Sequence, residues 1–275
     1  MKGNIVYLIC IMIYGCTSNP FWQDQPTKLV TIRGKVLLEN RETDVPVYVF
    51  VEQLGIGGYT DLDHQFNIEI NGLETSDGNF SGEVKVFYFI HNYKIQYSRL
   101  AFSNGQLSSN QTDFDIDGNL IEPVILTKLV KLDIYVNNGW NRQNQDSLQL
   151  NLNINVKDSD IQIISALSKS DESKNPSGIF FYKSQEECYY DQDNIDLYQL
   201  NNIPSNSSHI WIYFIEAEDI DAPDGIYSIR PWFFIIQEEV PDNLYESLGL
   251  NDIHSISPDH LNLPLDLGAK SISLQ

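Results

Sequence analysis

The sequence predicts an all-β protein built from two consecutive β-sandwich domains, and three observations lead there. "LQLNLNINV", residues 148 to 156, alternates apolar and polar residues without a break, so one face of a strand meets a core and the other meets water. Similar runs dense in Val, Ile, Tyr and Phe recur along the chain, and the breaks between them carry Gly, Asn, Asp and Pro, which is turn chemistry. No long helical period is present. The best short helix is "PDNLYESLGL" (241 to 250), which Pro241-Asp242 can start and Gly249 can end.

The chain opens on an apolar run. Lys2 is the only charge before Asp24, Ile5 to Tyr14 is almost wholly apolar, and Gly15 supplies a small residue, which is the order of an export signal. About ten apolar residues fall short of the roughly 18 to 20 that span a bilayer. Ile13-Tyr14-Gly15-Cys16 resembles the lipobox of bacterial lipoproteins, with Tyr14 where a small residue is usual. The resemblance implies that residues 1–15 are a signal peptide and that Cys16 is diacylated as the new N-terminus. Residues 16–28, with Pro20 and Pro26, then read as a lipidated cysteine and tether. It also implies a bacterial cell-envelope location, at the outer membrane or cell surface ahead of the inner membrane. The alternative is an ordinary secretory signal cut nearby, with Cys16 an incidental thiol.

Strand-like runs follow in order: "LVTIRGKVLL" (29 to 38), "VPVYVFVEQL" (45 to 54), "QFNIEI" (65 to 70), "EVKVFYFI" (83 to 90) and "YKIQYSRLAF" (93 to 102). "PVILTKLVKLDIYV" (123 to 136), "HIWIYFIEA" (209 to 217) and "IYSIRPWFFII" (226 to 236) continue the series, and 270 to 274 can add an edge strand. Within the first half, Gly34-Lys35-Val36, Pro46-Val47 and Thr60-Asp61 with Phe66 resemble the carboxypeptidase regulatory-like domain, with His64-Gln65 standing where the family has a glycine before Phe66. The resemblance implies a transthyretin-like seven-stranded sandwich over residues 29–131, closed by "PVILTKLVKL", and a non-catalytic one. Residues 132–275 resemble an immunoglobulin-like sandwich through "APDGIYSI" (222 to 229) and through strand spacing. Periodicity does not say whether the halves pack or hinge near Lys128 to Lys131.

Composition bounds the chemistry. Once Cys10 leaves with the signal and Cys16 is acylated, Cys188 alone remains, so neither a disulfide between body cysteines nor a zinc spacing can form. A formal net charge of −21 argues against nucleic acid, which needs clustered Lys and Arg. It is read as solubility and self-repulsion. None of His64, His91, His209, His254 or His260 is followed three residues later by Glu, and the five are widely spaced, so neither a His-x-x-Glu zinc pair nor an H-E-x-x-H helix exists. No G-x-S-x-G elbow appears either.

Three spots merit chemistry. "TDFDIDGNLIE" sets Asp113, Asp115 and Asp117 at the first, third and fifth positions of a calcium loop with Gly118 sixth, but Val124 stands where the bidentate Glu belongs. A strand ending in an Asp117-Gly118 turn is favoured, and calcium on Asp113, Asp115 and Asp117 is retained as a candidate. "EAEDIDAPDG" crowds Glu218, Asp219, Asp221 and Asp224 and reads as a solvated turn. "LGIGGYTD" (54 to 61) lacks a phosphate-cradling lysine and reads as a flexible hairpin loop. Trp211 or Trp232 could stack sugars if turned outward, although strands this aromatic belong in a core.

The expectation is a cell-envelope lipoprotein that binds or scaffolds without catalysis. Its membrane contact is an N-terminal lipid, and its partners are other envelope proteins or a surface glycan. The alternative is a calcium-dependent or carbohydrate-binding surface adhesin, and no cofactor is expected beyond that calcium.

Overall fold

A computed structural model of the 275-residue chain describes residues 30–39, 44–70, 74–75, 78–109, 112–137, 140, 142–143, 147–166, 178–184, 186–190, 198–217, 220–268 and 270–275. Residues 1–29, on which the expected signal peptide, Cys16 lipidation and tether fall, lie outside the described residues. In the first half the strands are β1 (Val30–Leu38), β2 (Tyr48–Val51), β3 (Ile56–Tyr59), β4 (Gln65–Ile70), β5 (Glu74–Thr75), β6 (Gly78–Asn79), β7 (Gly82–Phe89), β8 (Gln96–Ser103), β9 (Gln106–Ser108) and β10 (Val124–Leu126). The second half carries β11 (Val130–Val136), β12 (Ser147–Val156), β13 (Ile161–Ala166), β14 (Ile179–Tyr182), β15 (Cys188–Tyr189), β16 (Tyr198–Ile203), β17 (Ser208–Glu216), β18 (Gly225–Pro231), β19 (Phe233–Ile236) and β20 (Lys270–Leu274). Among the described residues one α-helix, α1 (Asp242–Ser247), follows Pro241 and precedes Gly249 at φ +84°, as the sequence predicts.

The architecture is all-β, with sheets stacked in layers. Sheet order β10-β1-β4 faces β3-β2-β7-β8-β9 in the first sandwich, around a core that includes Ile32, Val49, Val86, Tyr88 and Leu100. In the second, β11-β12-β17 faces a layer made of β16-β13-β19 and β15-β14-β18-β20. Leu150, Leu152, Ile163, Phe181, Tyr227 and Phe233 fill the space between them. "PVILTKLVKLDIYV" is therefore two strands in different sandwiches, and "IYSIRPWFFII" divides at Trp232 into β18 and β19 of different sheets.

A third core joins the halves. Along β2 and β7 alternate side chains go opposite ways: Val49, Val51, Val86 and Tyr88 enter the first core, while Tyr48, Phe50, Phe87 and Phe89 enter the third. β13, β14 and β19 of the second sandwich do the same, sending Ile164, Phe180 and Phe234 to meet them. Sheets covered on both faces read as continuous apolar runs, and "YVFV" is buried at every position. The excursion between β19 and β20, residues 237–268, wedges Leu244, Leu248 and Leu263 into this core.

Polar groups fix the junction. Asn92 donates from Nδ2 to Val130 O at 3.2 Å and to Asp266 O at 3.0 Å, and its Oδ1 accepts Asp266 N–H at 3.0 Å. Lys128 pairs with the Asp266 carboxylate, which also accepts from the Tyr93 hydroxyl at 2.9 Å. His91 is fully buried and accepts Ile235 N–H at Nε2 at 2.8 Å, with its ring 4.7 Å from that of Phe234. Burial, with the Arg230 charge adding to it, lowers His91 to about 3, and the same two causes lower His260.

Two local features depart from the sequence reading. Ile56–Tyr59, expected as a loop, is strand β3 paired with β2; a Cβ on Gly57 would collide with the Tyr48 ring, so glycine there admits the aromatic. The turn before Phe66 places His64 at φ +57°, a left-handed position that usually selects glycine. Asp61 holds it by accepting Asp63 N–H at 3.0 Å and Gln65 N–H at 2.8 Å, and His64 Nε2 lies 3.2 Å from Val45 O. The strand reading missed β13, β14 and β16.

Because the cores share sheets, Phe234→Ala should destabilise the protein by roughly 3–5 kcal/mol. Hydrogen exchange should show that loss in β7 as well as in β19; loss confined to the second sandwich would contradict the shared core. A second test concerns acid. Folded His91 stays neutral to about pH 3 while the unfolded imidazole protonates near 6.5, so the unfolded chain binds the extra proton between these values and stability falls as pH is lowered. Between pH 6.5 and 5 the wild type should lose about 2 kcal/mol more than His91→Gln, measured by urea titration; equal slopes would refute the assignment.

Candidate functional site

The outermost layer of the second sandwich presents a built surface. β12 pairs antiparallel with β11 on one side and β17 on the other. Leu148, Leu150, Leu152, Ile154 and Val156 face the core at 0–4% exposure. Period-2 alternation then sends Gln149, Asn151, Asn153 and Asn155 outward. The register fixes their neighbours: Tyr135, Asn151 and Ile212 form one row, and Asp133, Asn153 and Ile210 the next. Phe214 lies opposite Gln149, and Lys131 and Ser208 flank Asn155.

The profile across the strands is a shallow trough. The amides of β12 are half-buried, whereas Tyr135, Ile210 and Phe214 stand 50%, 59% and 60% exposed on the flanking strands. Gln149 Nε2 donates to Asn151 Oδ1 at 3.1 Å, which holds part of the floor in place. Charge enters this face toward its two ends: exposed Glu216 stands opposite Ser147 at one, and at the other Lys131 Nζ lies 3.6 Å from Asp133 Oδ2. So exposed a pair contributes little. In a chain of net charge −21, the middle rows of this face, around Gln149 and Asn151, are uncharged and amide-rich.

The structure places the other candidates elsewhere. Trp211 and Trp232 are 9% and 0% exposed and belong to the cores, so the outward aromatic on β17 is Phe214. Asp113, Asp115 and Asp117 surround a tight hairpin in which Phe114 bridges Leu120. Asp113 accepts Arg99 N–H at 2.7 Å, and Asp115 accepts Asp117 N–H, Asn119 N–H and the Asn119 amide at 2.8–3.2 Å. Hydrogen bonds from Asn119 and the turn backbone hold the Asp115 carboxyl below its usual range. The Asp115 carboxylate thus binds the turn's own donors and that of Asp113 a backbone N–H of β8, and no trio of metal-ligating side chains gathers among the described residues. In the second acidic loop, Arg142 donates to Ile220 O and Ala222 O at 3.1 and 2.7 Å and reaches Asp224 Oδ1 at 3.4 Å. A guanidinium thus ties the carbonyls of this loop to Asp224, while Glu218 and Asp219 lie outside the described residues.

The reactive groups also have structural settings. Burial pushes the Cys188 thiol up to about 11, which leaves it protonated and poorly nucleophilic. A cleft of about 340 Å³ on the first sandwich is lined by Val30, Arg33, Leu107 and Asp117, among others, and none of its polar side chains is buried.

Sequence reasoning missed Tyr135, Ile210 and Phe214. In "HIWIYFIE" both parities are apolar, so alternation alone cannot name the outward set. The usable signal is the outward parity of β12, which is Gln and Asn throughout 149 to 155 with no charge.

No family model matches the chain, and no curated protein does. Among solved structures, a candidate carbohydrate binding protein from Bacteroides uniformis ATCC 8492 is similar at TM-score 0.37 and 11% identity, covering 78% of this chain and 92% of that one. The major pilin of Streptococcus pyogenes is similar at TM-score 0.20 and 8% identity, covering 80% and 83%. Likenesses at these scores assign no family.

If the aspartates serve the turn, Asp115→Ala should lower the melting temperature by the same amount with millimolar calcium or with chelator. Calcium-dependent stabilisation of the wild type that Asp115→Ala removes would instead make the turn a cation site.

Proposed function

We propose that the protein is a non-catalytic binding module held at a bacterial cell envelope through a lipid on Cys16, and that it engages its ligand on the outer face of β11-β12-β17. The trough of half-buried amides between exposed Tyr135, Ile210 and Phe214 carries this reading. Large apolar side chains standing out together on one sheet face, rimmed by polar groups, mark interaction surfaces in general. The lipobox resemblance at Ile13 to Cys16 and the regulatory-like resemblance of 29–131 support the anchored, non-catalytic part. The burial of His91 and His260 and the raised thiol of Cys188 agree with it.

Position agrees as well. Val30, the first described residue, opens β1 in the outer sheet of the first sandwich, and β11-β12-β17 is the outer sheet at the far side of the second. The first sandwich then acts as a spacer that turns the trough away from the membrane.

The test uses full-length protein in its host. Wild type should carry a diacylated Cys16 by intact mass, and Cys16→Ala should move it to the soluble fraction. Tyr135→Ala with Phe214→Ala should abolish retention of the detergent-extracted protein on host envelope preparations without changing the melting temperature. Retention that survives the double substitution would overturn the assignment of the face.

A further inference from the structure

Resting on that reading, we infer that the ligand of the trough is an uncharged glycan. The floor decides between ligand classes. Each amide of Gln149, Asn151 and Asn153 offers both donors and an acceptor, and all three are already half-buried. An apolar ligand laid over them would complete their desolvation with no partner supplied, which is unfavourable. A hydroxyl is also donor and acceptor at once, so a polyol matches an amide floor in either orientation.

The walls supply the second half of the match. Sugar rings present patches of C–H between their hydroxyls, and the faces of aromatic rings are electron-rich. Tyr135 on β11 and Phe214 on β17 stand on opposite sides of the amide strand. The separation of their strands is two interstrand spacings, about 10 Å, which admits one extended chain lying along β12. Charge selects within the class: the Lys131–Asp133 pair neutralises itself toward one end of the trough, Glu216 stands exposed at the other, and the chain's −21 repels polyanions.

Native affinity electrophoresis of detergent-solubilised full-length protein tests the inference, with neutral polysaccharides (glucan, mannan, xylan, galactan) and polyanionic alginate and hyaluronan as probes in the gel. At least one neutral polysaccharide should retard the protein. Phe214→Ala, Tyr135→Ala and Asn151→Ala should each weaken that retardation about tenfold, with unchanged melting temperature. Tyr97→Ala, which removes a ring 53% exposed on the first sandwich, should leave it intact. Retardation by polyanions alone, or retardation indifferent to the three face variants, overturns the inference. So does a concentration-dependent dimer that Phe214→Ala dissolves, which would make the face an interface between copies. If no neutral polysaccharide retards the protein while Tyr135→Ala with Phe214→Ala still abolishes envelope retention, the glycan class fails and the binding face stands. If retention also survives, the face itself is wrong.

Discussion

The structure depends on the double-sided burial of the five-stranded sheet β3-β2-β7-β8-β9. Tyr48, Phe50, Phe87 and Phe89 leave its outer side, and aromatic side chains of this size bury on the order of 150–250 Å² each. Left to water they would form a large apolar patch; covered, they bind the two sandwiches into one body. The cover is the second sandwich together with residues 237–268, and the fit includes Tyr48 Oη donating to Ser247 Oγ at 3.0 Å and Asn243 Nδ2 donating to Glu52 O at 2.9 Å. A hinge near Lys128 to Lys131 is therefore not how the chain is built. Asn92 bonds both Val130 O and Asp266 across the point where one would bend.

The polar content of that junction shapes its chemistry. Arg230 is 8% exposed and donates to Leu261 O and Leu263 O at 3.3 and 3.1 Å, so its charge meets carbonyl dipoles, and burial lowers its pKa to about 10. The same charge disfavours protonation of His91 and His260. A core of this kind orients its parts specifically, because each amide and guanidinium accepts only one arrangement of carbonyls. Fixed orientation is what lets the trough on β11-β12-β17 hold a constant place relative to the first sandwich.

Much of the fold was legible, for identifiable reasons. "LQLNLNINV" became β12 with its apolar parity buried, because a sheet covered on one side writes its geometry into alternation. α1 and β20 appeared where Pro241, Gly249 and the run at 270 to 274 placed them. What failed was the reading of strands between two cores. "IIS" in β13 and "IFFY" in β14 carry no alternation because both faces are buried, and Trp232 passes the chain from one sheet to the next inside a single apolar run. The candidate site was hidden differently. Choosing Phe214 over Trp211 as the outward ring requires knowing which side of β17 the core occupies. The acidic turn admits both a strand-turn and a calcium reading because aspartates that cap backbone donors share the spacing of aspartates that ligate.

The most direct measurement is hydroxyl-radical footprinting of the full-length protein, alone and on host envelope preparations, read residue by residue. Binding through the trough predicts that Tyr135 and Phe214 lose reactivity together on the envelope while Tyr97 and Tyr59, exposed on the first sandwich, keep theirs. Protection of Tyr97 or Tyr59 with Tyr135 and Phe214 unchanged would contradict the account and move the binding surface to the first sandwich.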